Sequence, residues 1–160
     1  MTVLYAILIL GVLGLLFYMA LMVSLLSALF GRGMTVGMLV AADTACKCIS
    51  STITWFLPYA RSEAEAKNGL VYTPTSVAER VGSLLAGLLP MGVLALFGFG
   101  VGDGAWWKVP LSLTAPIAVA ACLFRLMRRR IGGYTGDCCG ATFLLTELAF
   151  YMVLLLLSSH

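Results

Sequence analysis

The sequence predicts an all-α fold, a polytopic integral membrane helical bundle of about five transmembrane helices in one domain, residues 1–160. Three observations predict it. The chain is 61% hydrophobic and 11% charged with a mean hydropathy of +1.03, which leaves too little polar surface for a water-soluble domain. Runs of about twenty apolar residues recur, each long enough to cross a hydrocarbon core roughly 30 Å thick. The polar stretches between them differ in length, from "GRGMTVG" to "YARSEAEAKNGLVYTPTS", and none carries a repeat, a low-complexity tail or a second domain.

The first apolar segment, Val3–Phe30, is too long for a signal-peptide core and lacks a basic leader and a clear cleavage site, so it reads as a retained helix. The second is Val36–Leu57, closed by Pro58. The third, Val77–Phe99, holds Pro90, which predicts a kink. The fourth is Trp106–Leu126, with Trp106 and Trp107 placed for an interfacial aromatic belt. The fifth is Gly140–Leu157.

Loop charges give an orientation. One side receives Arg61, Lys67, Arg80, Arg125, Arg128, Arg129 and Arg130, the other Arg32 and Lys108. The positive-inside rule puts the seven-cation side, and with it the N-terminus, in the cytoplasm. An odd number of crossings leaves His160 outside. His160, the only histidine, reads as a frayed terminus rather than a base. The five cysteines (Cys46, Cys48, Cys122, Cys138 and Cys139) show neither C-x-x-C nor Cys/His zinc spacing, and read as free thiols.

Four places could carry chemistry. Asp43 and Lys47 lie at i, i+4 inside the second segment, stacked on one helical face. Ionisable groups at that depth cost several kcal/mol by common estimates, and they face a partner or a wet cavity. A self-neutralising pair and a site lining are both open. "FLPYARSE" puts Tyr59 and Arg61 at the rim, where arginine suits phosphate and both residues also suit plain interfacial anchoring. "GGYTGD" combines glycines that allow close backbone approach with Asp137, a candidate N-cap, metal ligand or neighbour of an anion-binding turn. Against that, Gly132, Gly136 and Gly140 repeat every four residues, the pattern of close helix packing in membranes. Glu147 lies ten residues beyond Asp137, rotated from it by about 80° and displaced by about 15 Å along the axis. It is therefore a brace, expected to meet Lys47 or Arg61, and not half of an acid–base pair with Asp137. "GFGVGDG", Gly98–Gly104, lacks the lysine and Ser/Thr of a P-loop and reads as a turn.

Together these stretches resemble the cobalamin synthases, the adenosylcobinamide-GDP ribazoletransferases. "GGYTGDCCGATFLLTELAFYMVLLL" is similar to that family's closing block, a G-G-x-T-G-D-x-x-G-A turn and a glutamate-bearing helix. "AADTACKCISSTITWFLPYARSEAEAKN" is similar to its middle block, with Lys47 in a basic position where many members carry arginine. The resemblance spans Gly11 to Leu156. The family's aspartate-rich D-G-x-x-D-x-x-D-type motif has no counterpart, since the only aspartates are Asp43, Asp103 and Asp137. The chain thus looks like the C-terminal part of such an enzyme, begun at an internal Met1.

The resemblance implies a bacterial inner-membrane phosphotransferase that joins adenosylcobinamide-GDP to α-ribazole, giving adenosylcobalamin and GMP, with Mg²⁺ as cofactor. It implies catalytic roles for Asp137, Lys47 and Arg61, with Asp137 also the metal ligand. Gly132, Gly133, Thr135, Gly136, Tyr59 and Asp43 would line the substrate, and Glu147 would brace the helices. Expected partners are the two substrates, the lipid bilayer, and either a second copy or a chain supplying an N-terminal half; nucleic acid is not expected. Two readings from other classes stay open: a small transporter or channel subunit lined by Asp43, Lys47 and Glu147, and a non-catalytic scaffold packed through the glycine repeat.

Overall fold

A computed structural model describes residues 2–60, 76–97 and 107–159. Seven helices account for nearly all of them: α1 (Thr2–Gly31), α2 (Val36–Ser51), α3 (Ile53–Phe56), α4 (Val77–Leu96), α5 (Lys108–Ser112), α6 (Thr114–Arg130) and α7 (Gly136–Leu157). The pairs α2/α3 and α5/α6 each make one span, so five stretches are long and apolar enough to cross a membrane. Among the described residues there is no β-strand, only an isolated bridge between Tyr59 and Tyr134. The fold is the expected helical bundle.

The α1–α2 turn shows why "FGRGMT" reverses the chain. Gly33 adopts a φ of +89°, the left-handed conformation glycine reaches without steric cost. Its N–H donates to the Phe30 carbonyl and that of Met34 to the Leu29 carbonyl, both at 3.0 Å. This is the Schellman pattern, with Leu29 and Met34 making the buried apolar contact that accompanies it. Thr35 then caps α2, its hydroxyl accepting from the Met38 N–H. Between the glycine and α1, Arg32 reaches across the bundle end. Its guanidinium donates to the Leu155 carbonyl at 2.8 Å and the Ser158 hydroxyl at 2.9 Å. A cation on the Leu155 carbonyl, in the last turn of α7, complements the negative end of the helix dipole.

The second span is continuous in hydropathy but breaks at Thr52. The hydroxyls of Ser50, Ser51, Thr52 and Thr54 each bond the carbonyl three residues back, a competition with the helical ladder that bends helices. Leu57 is extended, as a residue before proline should be. The third span, α4, opens with a reciprocal capping box between Ser76 and Glu79. It runs on through Pro90 and is described as far as Phe97.

The fourth span differs from expectation at its end. α6 continues to Arg130, so Arg128, Arg129 and Arg130 form its last turn rather than a loop, where they complement the helix dipole. The fifth starts earlier than Gly140, at Gly136, because Thr135 supplies a cap that hydropathy does not register. Trp107 is half exposed beside α5; Trp106, Arg61, Lys67, Gly98–Gly104 and His160 lie outside the described residues.

α2 and α7 stand at the centre, with α4 against α2, α6 against both, and α1 and α5 against α7. The shared core is built from Ala41, Ala42, Ala45 and Cys46 on α2 against Phe150, Tyr151 and Leu154 on α7, with Leu29 from α1. Small residues on α2 let the backbones come close, the usual solution where lipid competes with side chains for apolar contact. The same device joins α2 to α4. A Cβ at Gly87 would collide with the Cys48 side chain. All five cysteines are free thiols.

Candidate functional site

The two stretches singled out in the sequence meet at one end of the bundle. The Tyr134 N–H donates to the Pro58 carbonyl and the Ala60 N–H to the Tyr134 carbonyl, both at 2.9 Å. This short parallel pairing clamps the segment after α3 to the turn before α7. The two tyrosine rings meet edge to face, centroids 5.5 Å apart at 73°, a favoured aromatic geometry. Tyr134 is buried above Ile53, Leu57 and Met127.

Two glycines make the clamp sterically feasible. Gly132 has a φ of +74°. Gly133 lies so close that a Cβ there would collide with the Pro58 carbonyl oxygen. By contrast a Cβ on Gly132, Gly136 or Gly140 would meet nothing within 4 Å. Among the described residues the four-residue glycine repeat is therefore not a packing face. Gly133, which falls outside the repeat, makes the close contact.

Beyond the clamp, the N-cap of α7 is Thr135 and not Asp137. The Thr135 hydroxyl accepts from the Cys138 N–H at 3.4 Å. Asp137 falls one step inside the first turn, exposed, where its charge suits the positive helix end. That arrangement leaves the Gly136 and Asp137 amides as orphan donors of the first turn. Arg61 follows Ala60, whose N–H is bonded to Tyr134, but Arg61 itself lies outside the described residues.

A second polar group lies at membrane depth. Lys47 bonds Asp43 at 2.8 Å, and its ammonium stands 5.2 Å from the Phe143 ring centroid on α7. Phe143 is six residues past Asp137, so Lys47 sits about 9 Å deeper along the α7 axis. The structure does not bring Lys47 and Asp137 together; they stand at two levels of α7, on different sides of it. The side chains of Lys47 and Asp43 are 59% and 32% exposed, so a self-neutralising pair exists but is not buried by this chain.

Glu147 is braced differently from expectation. It forms no ion pair with Lys47. Its carboxyl accepts from the Tyr18 hydroxyl of α1 and the Tyr151 hydroxyl of α7, each at 3.5 Å, long for an O–H···O bond. Lys47 is held instead by Asp43, one turn away on α2. Tyr18 and Tyr151 were not anticipated, although a tyrosine mid-way along an aliphatic helix and a tyrosine four residues from a glutamate are readable signals.

No group of three or more His, Cys, Asp or Glu side chains able to hold a metal occurs among the described residues. Asp137 offers one exposed carboxylate at the rim.

The family model described as CobS, cobalamin-5-phosphate synthase, matches residues 9–155. This chain belongs to the cobalamin synthase family. The match takes in both the clamp and the α2–α7 polar face. Among similar proteins, the adenosylcobinamide-GDP ribazoletransferase of Shewanella woodyi is 33% identical over 128 residues, covering 80% of this chain and 46% of the relative. That of Shewanella amazonensis is 34% identical over 134 residues, 83% of this chain and 48% of the relative. A relative of the same name in a Polaromonas species is 33% identical over 110 residues, 62% of this chain and 33% of its own length. The chain thus spans about half the length of the Shewanella relatives, or less. No solved structure matches it.

Proposed function

We propose that this chain serves the adenosylcobinamide-GDP ribazoletransferase reaction, the activity named for its relatives. In it the 5′-hydroxyl of α-ribazole attacks the phosphorus attached to cobinamide, forming adenosylcobalamin and releasing GMP. The observation that carries the reading is the clamp between Pro58–Ala60 and Tyr134. It brings to one rim the two blocks that bear the family resemblance. Phosphoryl transfer is catalysed largely by positioning and charge neutralisation, which backbone donors and cations can supply.

In this reading the rim faces the cytoplasm, as the loop arginines favour. Gly132, Gly133, Thr135 and Gly136 form the turn against which a phosphate or the nucleotide lies, with the free amides of the first α7 turn donating to it. Tyr59 walls the turn, and Arg61, next along from Ala60, pairs with the diphosphate. Lys47 and Asp43, deeper in the bundle, meet a deeper part of an extended substrate, and Glu147 holds α1 and α7 in register. Asp137 stands close to where a phosphate would sit, and two anions repel. A divalent cation relieves that repulsion. Asp137 would give Mg²⁺ one hard oxygen ligand, the rest coming from water and phosphate, the habitual mode for this ion. A carboxylate-rich chain is the partner suited to complete the site.

The test is product formation. Residues 1–160, purified in detergent, are incubated with adenosylcobinamide-GDP, α-ribazole and Mg²⁺, with and without a relative's region beyond the matched residues, and cobalamin and GMP are followed by chromatography. Product in either mixture supports the proposal. No product in both, from helical and monodisperse protein, defeats it.

A further inference from the structure

We propose a second site, for an anionic glycerophospholipid, in the cleft between α3 and the arginine-bearing face of α6, beside the substrate turn. Near the cytoplasmic-side end of α6 a recess of about 620 Å³ is lined by Phe56, Leu57 and the guanidinium-bearing face of α6, Arg125, Arg128 and Arg129. A second recess of about 410 Å³ continues from it towards the bilayer centre, between α2, α4 and α6. The two share Phe56, Ala121 and Phe124 as a common wall.

The chemistry of the two parts is opposite. Arg125, Arg128 and Arg129 stand at i, i+3 and i+4, on one helical face. Among the described residues none of their side chains has a hydrogen bond or ion pair, the Lys47–Asp43 bridge being the ion pair present. The deeper recess is walled by aliphatic and aromatic carbon, including Leu84, Leu88 and Ile117. Its polar wall atoms are used internally: the Cys48 thiol donates to the Ser83 carbonyl and the Thr52 hydroxyl to the Ile49 carbonyl. A water-soluble diphosphate would satisfy the upper part and leave the lower part empty. A molecule with an anionic head at the interface and a hydrocarbon tail below it satisfies both. Basic pockets between transmembrane helices on the cytoplasmic side recognise lipid head groups in this way, with the arginine stems lying along apolar surface while the heads stay at the interface.

The site is tested on the full chain in detergent by native mass spectrometry with phosphatidylglycerol, phosphatidylcholine and GDP as probes. Phosphatidylglycerol should be retained at least about tenfold over phosphatidylcholine, a preference of about 1.4 kcal/mol. R125Q/R128Q/R129Q should abolish the preference. Because those arginines also direct topology, the lysine triple variant, which keeps the charge, should insert as wild type and retain part of it. Ala121→Trp, which fills the shared wall, should reduce phosphatidylglycerol retention several-fold with unchanged helical circular dichroism. Equal retention of the two lipids, or wild-type retention in the glutamine variant, overturns the proposal. So does displacement of phosphatidylglycerol by GDP that Ala121→Trp leaves unaltered, which would assign the arginines to a soluble phosphate.

Discussion

Tyr134 and Pro58 are joined by a 2.9 Å backbone hydrogen bond across seventy-six positions of sequence, and Gly133 beside them has no room for a side chain. The turn that carries Asp137 is therefore held by the segment that leads to Arg61. Anything that opens this pairing separates two halves of the candidate site without touching either charged residue.

Gly133→Ala should open it. The added methyl meets the Pro58 carbonyl, and overpacking of this kind costs about 1–3 kcal/mol. Thermal unfolding in detergent should shift down, and trypsin should cut faster at Arg61. Gly140→Ala is the control. With open space around it in the helix, it should be neutral or slightly stabilising. Equal effects at both positions would show that the clamp does not matter.

Thr135 and Asp137 should separate stability from turnover. Thr135→Ala removes the cap of α7 and should cost about 1 kcal/mol. Asp137→Asn should leave the melting temperature nearly unchanged, because the exposed carboxylate is not the cap. At the matching aspartate of a full-length relative, the same change should lower turnover and raise the Mg²⁺ concentration needed for half-maximal rate. Unchanged kinetics would remove Asp137 from the mechanism.

Arg32→Ala should loosen the far end of the bundle, because it strips the Leu155 carbonyl and Ser158 hydroxyl of a charged donor. Hydrogen bonds to charged groups contribute about 1.5–3 kcal/mol, and the partial exposure of Arg32 places the loss near the lower figure. Hydrogen exchange should quicken in the last turn of α7 and not at Tyr134. Arg32→Lys should recover part of the protection, since the charge remains and the two-pronged contact does not.

Asp43 and Lys47 should behave as one unit. Lys47→Met leaves a carboxylate alone at membrane depth and should lower the yield of membrane-inserted protein. Adding Asp43→Asn should restore much of it. If the double variant inserts no better than the single one, the two charges act separately.

Glu147 should tolerate Tyr18→Phe or Tyr151→Phe with losses under about 1 kcal/mol each, since both bonds are long. Exchanging the charges of Glu147 and Lys47 should not restore folding, as the two form no ion pair. Recovery on exchange would establish a pairing that the observed geometry lacks.

Much of the architecture was readable along the chain, because each feature concerned is local. Apolar length alone counts the crossings. Asp43 and Lys47 are placed together by helical pitch. Errors fell at boundaries, where hydropathy is silent about hydrogen bonds. Thr135 caps α7, which starts at Gly136, four residues before Gly140, and α6 carries its arginines within its last turn.

By itself, then, the sequence determined the helical bundle, its five crossings and the two blocks of residues that mark the family, since these follow from composition and near-neighbour spacing. Only the tertiary structure decided which of them touch. It set Gly133 rather than the Gly132–Gly136–Gly140 series at the close approach, gave Glu147 to Tyr18 and Tyr151 rather than to Lys47, and placed Lys47 a level below Asp137. Those outcomes depend on the separation and rotation of α2, α6 and α7, quantities that emerge from packing among distant residues and leave no local trace in the chain.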